Sequence, residues 1–193
     1  MTRSPRSAST PFRGHESGSN TRSEGSTVAE RGTSGAARRI GLAIGVAVGV
    51  IAVDQLTKLW AVAALADEPI DLFWTLRLRL IRNFGGSFGI APGRGAVISL
   101  IGIVVIGGLL YAASKPRPTA TIVALGFFIG GAAGNIIDRI VRDGSGVFGG
   151  GVVDFIDFQW WPVFNVADIS LYIGVGLLLL VGFEDRPDVA GDD

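Results

Sequence analysis

The chain has 193 residues, enough for one domain, and its 17 basic and 17 acidic side chains cancel, which argues against nucleic acid as a partner. There is no cysteine, and the one histidine, His15, lies in a polar N-terminal stretch. Disulfides, thiol nucleophiles, zinc clusters and imidazole catalysis are therefore excluded, and any chemistry falls to Asp, Glu, Lys, Arg, Ser, Thr, Tyr or Asn without metal or other cofactor.

Residues 1–38 are rich in Ser, Gly, Thr and Arg with almost no large apolar side chain, the composition of a disordered tail. A signal peptide here is disfavoured, because the polar stretch is too long and Asp54 and Lys58 interrupt the apolar run behind it. Four apolar windows follow at 40–66, 95–114, 118–137 and 164–183, each near the roughly 20 residues that cross a bilayer as a helix. They predict an α-helical membrane domain over 39–184 with four transmembrane helices, followed by a short tail at 185–193. Arg31, Arg38 and Arg39 before the first window, with Lys115 and Arg117 between the second and third, place those flanks in the cytoplasm. Both termini are then inside, and 67–94 and 138–163 outside. The basic residues of TLRLRLIRN (75–83) run against that rule, but the segment alternates apolar and basic like a half-buried strand at the interface. Trp60, Trp74, Trp160 and Trp161 fall at the predicted outer boundary. Gly41, Gly45 and Gly49 in the first helix, and Gly126, Gly130 and Gly134 in the third, repeat every four residues as packing seams do.

The informative residues are polar ones in an apolar setting. Asp54 and Lys58 (DQLTKLW) share a helix face and read either as a structural ion pair or as functional charges. Asn135, Asp138 and Arg139 (GNIIDRI) stand on one side at the end of the third helix, where Arg139 is placed to hold Asp138 ionised. Asp154 (VVDF) and Asp168 (FNVAD) flank WWPVF, whose Pro162 and aromatics suggest an interfacial turn bringing the two together. Two carboxyls facing one pocket cannot both ionise cheaply, so such a pair supplies a base and an acid at once. The alternative is a loop acid at Asp154 and a helix-start acid at Asp168, with Asn165 capping that helix.

These blocks, with NFGGSFGI at 83–90, resemble in order the five motifs of the lipoprotein signal peptidases (signal peptidase II) over residues 40–183. The resemblance implies a membrane aspartic endopeptidase that removes the signal peptide of a diacylglyceryl-modified prolipoprotein, cutting before the lipidated cysteine. Asp154 and Asp168 would be its catalytic pair, with Asp54, Lys58, Asn83, Asn135, Asp138, Arg139 and Asn165 in supporting or substrate-binding positions. It further implies a bacterial inner-membrane protein with its site near the extracytoplasmic face, a small β-like cradle formed by TLRLRLIRN, membrane lipid as surroundings, and a monomer. RDGSGVFGGG lengthens the link from Asp138 to Asp154, and Asp157 repeats the Asp-Phe pattern, so the choice of Asp154 rests on the VV before it. Two rivals stand beside this reading. A serine–lysine peptidase could use Lys58, although no serine is tied to it by motif. A small ion pathway could use the intramembrane charges, although these gather at one face of the membrane and no internal repeat is evident.

Overall fold

The computed structural model describes residues 21–85, 95–144 and 146–184, with side chains from 33 to 181. The chain divides into two units, 1–34 and 35–193, and everything below concerns the second unless stated. Residues 1–20, the GSFGI end of the second motif and the tail at 185–193 lie outside the described residues.

Seven elements follow in order: α1 (Thr21–Ala64), β1 (Ile70–Phe73), β2 (Leu76–Asn83), α2 (Gly95–Ser114), α3 (Thr119–Val141), β3 (Val152–Asp157) and α4 (Val166–Glu184). Three helical stretches, Thr33–Ala64, Gly95–Ser114 and Thr119–Val141, are long and apolar enough to cross a membrane, and α4 adds a shorter apolar run, Val166–Val181. Helix α1 starts at Thr21, within the 1–38 segment whose composition is that of a disordered tail.

Helix α3 is the central helix. On one face its glycines receive α1: a Cβ at Gly126 would lie 2.7 Å from Val46 Cβ, and one at Gly130 would lie 2.7 Å from Val50 Cβ and 2.9 Å from the Ala47 carbonyl. On the other, Gly131 lies against Ala167 and Ser170 of α4. The predicted seam therefore exists on α3 but not on α1, where a Cβ at Gly41, Gly45 or Gly49 would meet nothing within 4 Å. The surface that α1 offers to α3 is Ala43, Val46, Ala47 and Val50, one step around the helix. Gly130→Ala should lower stability by about 1–3 kcal/mol through overpacking. Gly45→Ala should be neutral or slightly stabilising, since it adds helix propensity without a clash. Thermal unfolding of the two variants in detergent checks both.

Outside the helices, β1, β2 and β3 form one antiparallel sheet in that order. The alternation of TLRLRLIRN correctly predicts β2. Strand β3 is buried at nearly every position, so VVDFID lacks the alternation that marks a half-exposed strand. The register sets Ile81 opposite Asp154 and Asn83 opposite Val152, with an irregularity between Leu78 and Ile81. Phe155 carries the sheet onto α1, its ring edge-on to Trp60 at 6.4 Å and 73°. The longer link before β3 folds back on itself through a Gly144–Gly150 bridge, and the Gly150 N–H donates to the Arg139 carbonyl at 3.1 Å. Gly144 packs on the Gly149 carbonyl, leaving no room for a side chain.

Candidate active site

Asp154 enters the site from β3 and Asp168 from the first turn of α4, and both line one cavity of about 260 Å³ with Asn83, Asn135 and Arg139. Its apolar wall comes from α2, α3 and α4, including Ile98, Gly102, Ala132 and Leu171.

Asn165 ties the two carboxyls together. Its side-chain Nδ2 donates to Asp154 Oδ1 at 2.7 Å, while its backbone N–H donates to Asp168 Oδ2 at 3.2 Å. The Asn165 Oδ1 in turn accepts the Asp168 N–H at 3.0 Å, so residues 165 and 168 form a reciprocal cap at the start of α4. Asn83 Nδ2 donates to the other oxygen of Asp154 at 3.1 Å. The side-chain amides of Asn83 and Asn165 are thus both engaged with Asp154. Asn135 Nδ2 donates to Asp168 Oδ1 at 3.0 Å, and its Oδ1 accepts from Lys58 Nζ at 2.9 Å and from Asn165 Nδ2 at 3.0 Å.

Behind this layer lies a buried charge cluster. Lys58 Nζ sits 2.9 Å from Asp54 Oδ2 and 2.9 Å from Asp138 Oδ2, all three side chains fully buried. Asp54 Oδ1 accepts the Ala167 N–H at 2.9 Å, and Asp138 Oδ2 accepts the Val153 N–H at 3.0 Å. The cluster therefore grips the backbone beside each cavity aspartate. With its ammonium donating to Asp54, Asp138 and Asn135 and, among the described residues, to no serine, Lys58 is not arranged there as the base of a serine–lysine pair. The buried hydroxyls of Ser99 and Ser170 donate to backbone carbonyls instead.

Two partners of the cluster escaped the sequence reading, and one assignment changes. Gln55 Nε2 lies within 3.2 Å of Asp54 Oδ2, the Gly134 carbonyl and Asp138 Oδ1. Arg142 Nε donates to Asp138 Oδ1 at 2.8 Å. It is Arg142, with Lys58, that pairs with Asp138, and not Arg139, which donates to the carbonyls of Asn135 (3.2 Å) and Gly85 (3.1 Å). The i,i+4 offset from Asp138 to Arg142 was the one signal available in sequence. Arg139, one residue on, is turned toward the cavity.

Electrostatics separate Asp154 from Asp157, three residues along the same strand. Burial pushes the Asp154 carboxyl up to about 7; the Asn83 bond opposes this, the Asp168 charge adds to it, and the Asn165 bond opposes it again. Burial also works against charge on Asp157, but the Arg77 bond, the Gln159 N–H and the Arg79 charge outweigh it and hold this carboxyl below its ordinary value. Asp157 lies 2.8 Å from Arg77 Nε and 3.1 Å from Arg79 Nε, outside the cavity, and fastens β3 to β2.

A family model for signal peptidase (SPase) II matches residues 46–183. The lipoprotein signal peptidase of Rhodococcus jostii (strain RHA1) is 40% identical over 142 residues, 70% of each chain. That of Halothermothrix orenii is 42% identical over 134 residues, 68% of this chain and 88% of the relative. A solved bacterial membrane enzyme, determined by the in meso method at 2.3 Å resolution, superposes with a TM-score of 0.65 at 31% identity, covering 79% of this chain and 94% of its own. A second, at 1.9 Å, gives 0.60 at 31% identity over 76% and 95%. The motifs, the fold and these relatives agree, and the chain belongs to the signal peptidase II family, the lipoprotein signal peptidases.

Proposed function

We infer that this chain releases the signal peptide of diacylglyceryl-modified prolipoproteins with Asp154 and Asp168 as the catalytic pair. The observation that carries this assignment is the single cavity lined by both carboxyls, which are bridged by Asn165. Asp154, with its carboxyl raised to about 7, is the protonated member, and Asp168, which accepts two N–H donors at a helix start, is the carboxylate. Asp168 takes a proton from a water lying between them as its oxygen bonds to the scissile carbonyl carbon. Asp154 gives its proton to the carbonyl oxygen, and as the C–N bond breaks a proton passes to the leaving amine of the lipidated cysteine. Arg139 lines the same cavity and adds positive charge beside the two carboxyls.

In this reading the chain crosses a bacterial inner membrane four times, α4 being the last span, with both termini in the cytoplasm and the sheet and aspartates at the extracytoplasmic face. The basic flanks at Arg38, Arg39, Lys115 and Arg117 support that orientation. One copy supplies both aspartates and all their partners named above, so a monomer suffices.

The test is signal-peptide release from a diacylglyceryl-modified prolipoprotein by the purified protein in lipid, followed against pH. Release should fall as pH rises through about 7, because a general acid whose pKa lies there loses its proton. No release at any pH rejects the reading, and a rate that climbs steadily to pH 9 and beyond rejects Asp154 as the acid.

A further inference from the structure

Charge is sorted between the two ends of the helices. Toward the sheet, cations meet carboxylates: Lys58 with Asp54 and Asp138, Arg142 with Asp138, and Arg77 and Arg79 with Asp157. At the other end, where α2 passes into α3, the chain carries Arg38, Arg39, Lys115 and Arg117. None of these four is ion-paired among the described residues. Residues 33–53 and 72–137 contain no Asp or Glu, so the neighbouring sequence holds no carboxylate for them.

The patch is assembled by the fold. Arg39 reaches from α1 to the α2–α3 link, 75 residues away, where its Nη2 donates to the Ser114 carbonyl at 2.7 Å. Arg117 Nε donates to the Ala112 carbonyl at 3.2 Å. Both guanidinium groups therefore lie at the carbonyl end of α2, where cations are favoured, and each has five N–H groups of which one is spent there. Lys115 Nζ lies 4.5 Å from the Tyr111 ring centroid, and both side chains are exposed. The start of α3 adds to the positive field, since Pro118 supplies no side-chain cap and the first turn holds no acid.

Depth decides the partner. Helix α2 has 20 residues, a rise of about 30 Å, which is the thickness of bilayer hydrocarbon. With the sheet at one interface, as inferred above, the α2–α3 link lies at the other, level with lipid headgroups. Tyr111, 67% exposed beside Lys115, is an aromatic suited to that boundary. Choline headgroups bring their own cation, so a patch without a carboxylate selects headgroups of net negative charge. We propose that Arg39, Lys115 and Arg117 form a site for the phosphate of an anionic lipid headgroup. Bound there, the phosphate ties α1 to the α2–α3 link at the end of the helices opposite the aspartates. The inference rests on the four-span arrangement and not on the peptidase reaction, so signal-peptide release is not its readout.

The test places the full chain in vesicles of equal phosphatidylcholine and phosphatidylglycerol with matched acyl chains. The protein is then extracted in mild detergent, and the ratio of the two lipids it retains is measured. Wild type should hold phosphatidylglycerol in excess. Lys115→Gln and Arg117→Gln should each cut that excess about fivefold, and Lys115→Arg, which keeps the charge, should preserve it. Arg39→Gln should cut it as well. That variant also loses the bond to Ser114, so the exposed Lys115 and Arg117 decide the matter if it unfolds. Arg82→Gln removes an exposed cation at the sheet end and should leave the ratio unchanged. An equal fall in Arg82→Gln would mean that total charge, and no site, draws the lipid, and would overturn the proposal. Inorganic phosphate should displace the lipid no better than chloride at equal ionic strength; specific displacement would mean a free-anion site and would overturn it too. A wild type without excess phosphatidylglycerol also overturns it, in favour of the acidic segment EDRPDVAGDD (184–193) as the counter-charge.

Discussion

Asp154→Asn and Asp168→Asn should each lower signal-peptide release by about 10³-fold or more, while leaving the melting temperature in detergent close to wild type. An amide has the size of either carboxyl and keeps one of its two accepting oxygens, so Asn changes no volume and gives up one accepted hydrogen bond at each site. What it removes is proton exchange. At Asp168 the water loses its base; at Asp154 the proton that an amide offers cannot be given up. Asp157→Asn is the control on the same strand. Its carboxyl bonds to Arg77 and Arg79 outside the cavity, so release should stay within about threefold of wild type while the hold between β2 and β3 weakens. Loss of release in all three variants without loss of fold would remove the distinction between Asp154 and Asp157. Retention in all three would remove the aspartic mechanism.

Lys58→Met should cost about 3–5 kcal/mol of stability, the largest effect expected at any position away from the cavity aspartates. The ammonium is fully buried between two fully buried carboxylates. With it gone, Asp54 and Asp138 repel one another and lose the only charge they share. The same change cuts the bond from Lys58 to Asn135 that holds the amide aimed at Asp168. Release should therefore fall even at temperatures where the variant remains folded. Adding Asp54→Asn to Lys58→Met should recover part of the stability, because one uncompensated charge is removed. Thermal unfolding in detergent reads both steps, and a single variant as stable as wild type would show that the cluster carries little energy.

Hydropathy located all four helices to within a few residues inside the membrane domain, since lipid leaves the backbone no option but helix there. Alternation revealed β2, along which apolar and basic residues take turns, and could not reveal β3, which is buried at nearly every position. Spacing found the Asp54–Lys58 pair because both lie on one turn of one helix. It could not find that Lys58 also reaches Asp138, or that Gln55 spans 83 residues to the same carboxylate, because contacts between helices leave no period in the sequence. The four-residue glycine repeats marked surfaces able to be approached closely, and only packing decided that α3 is approached and α1 is not.

The cap that Asp54 places on the Ala167 N–H joins the first helix to the last. During synthesis, Asp54 and Lys58 enter the bilayer with only each other for company. Asp138 arrives with the third helix, and the groups that aim both reacting carboxyls arrive only when Asn165 emerges. Hydrolytic competence is thus withheld from every shorter nascent chain. On the proposed assignment of Asp154 and Asp168, a growing polypeptide cannot cut the membrane proteins being inserted beside it until α4 has been made.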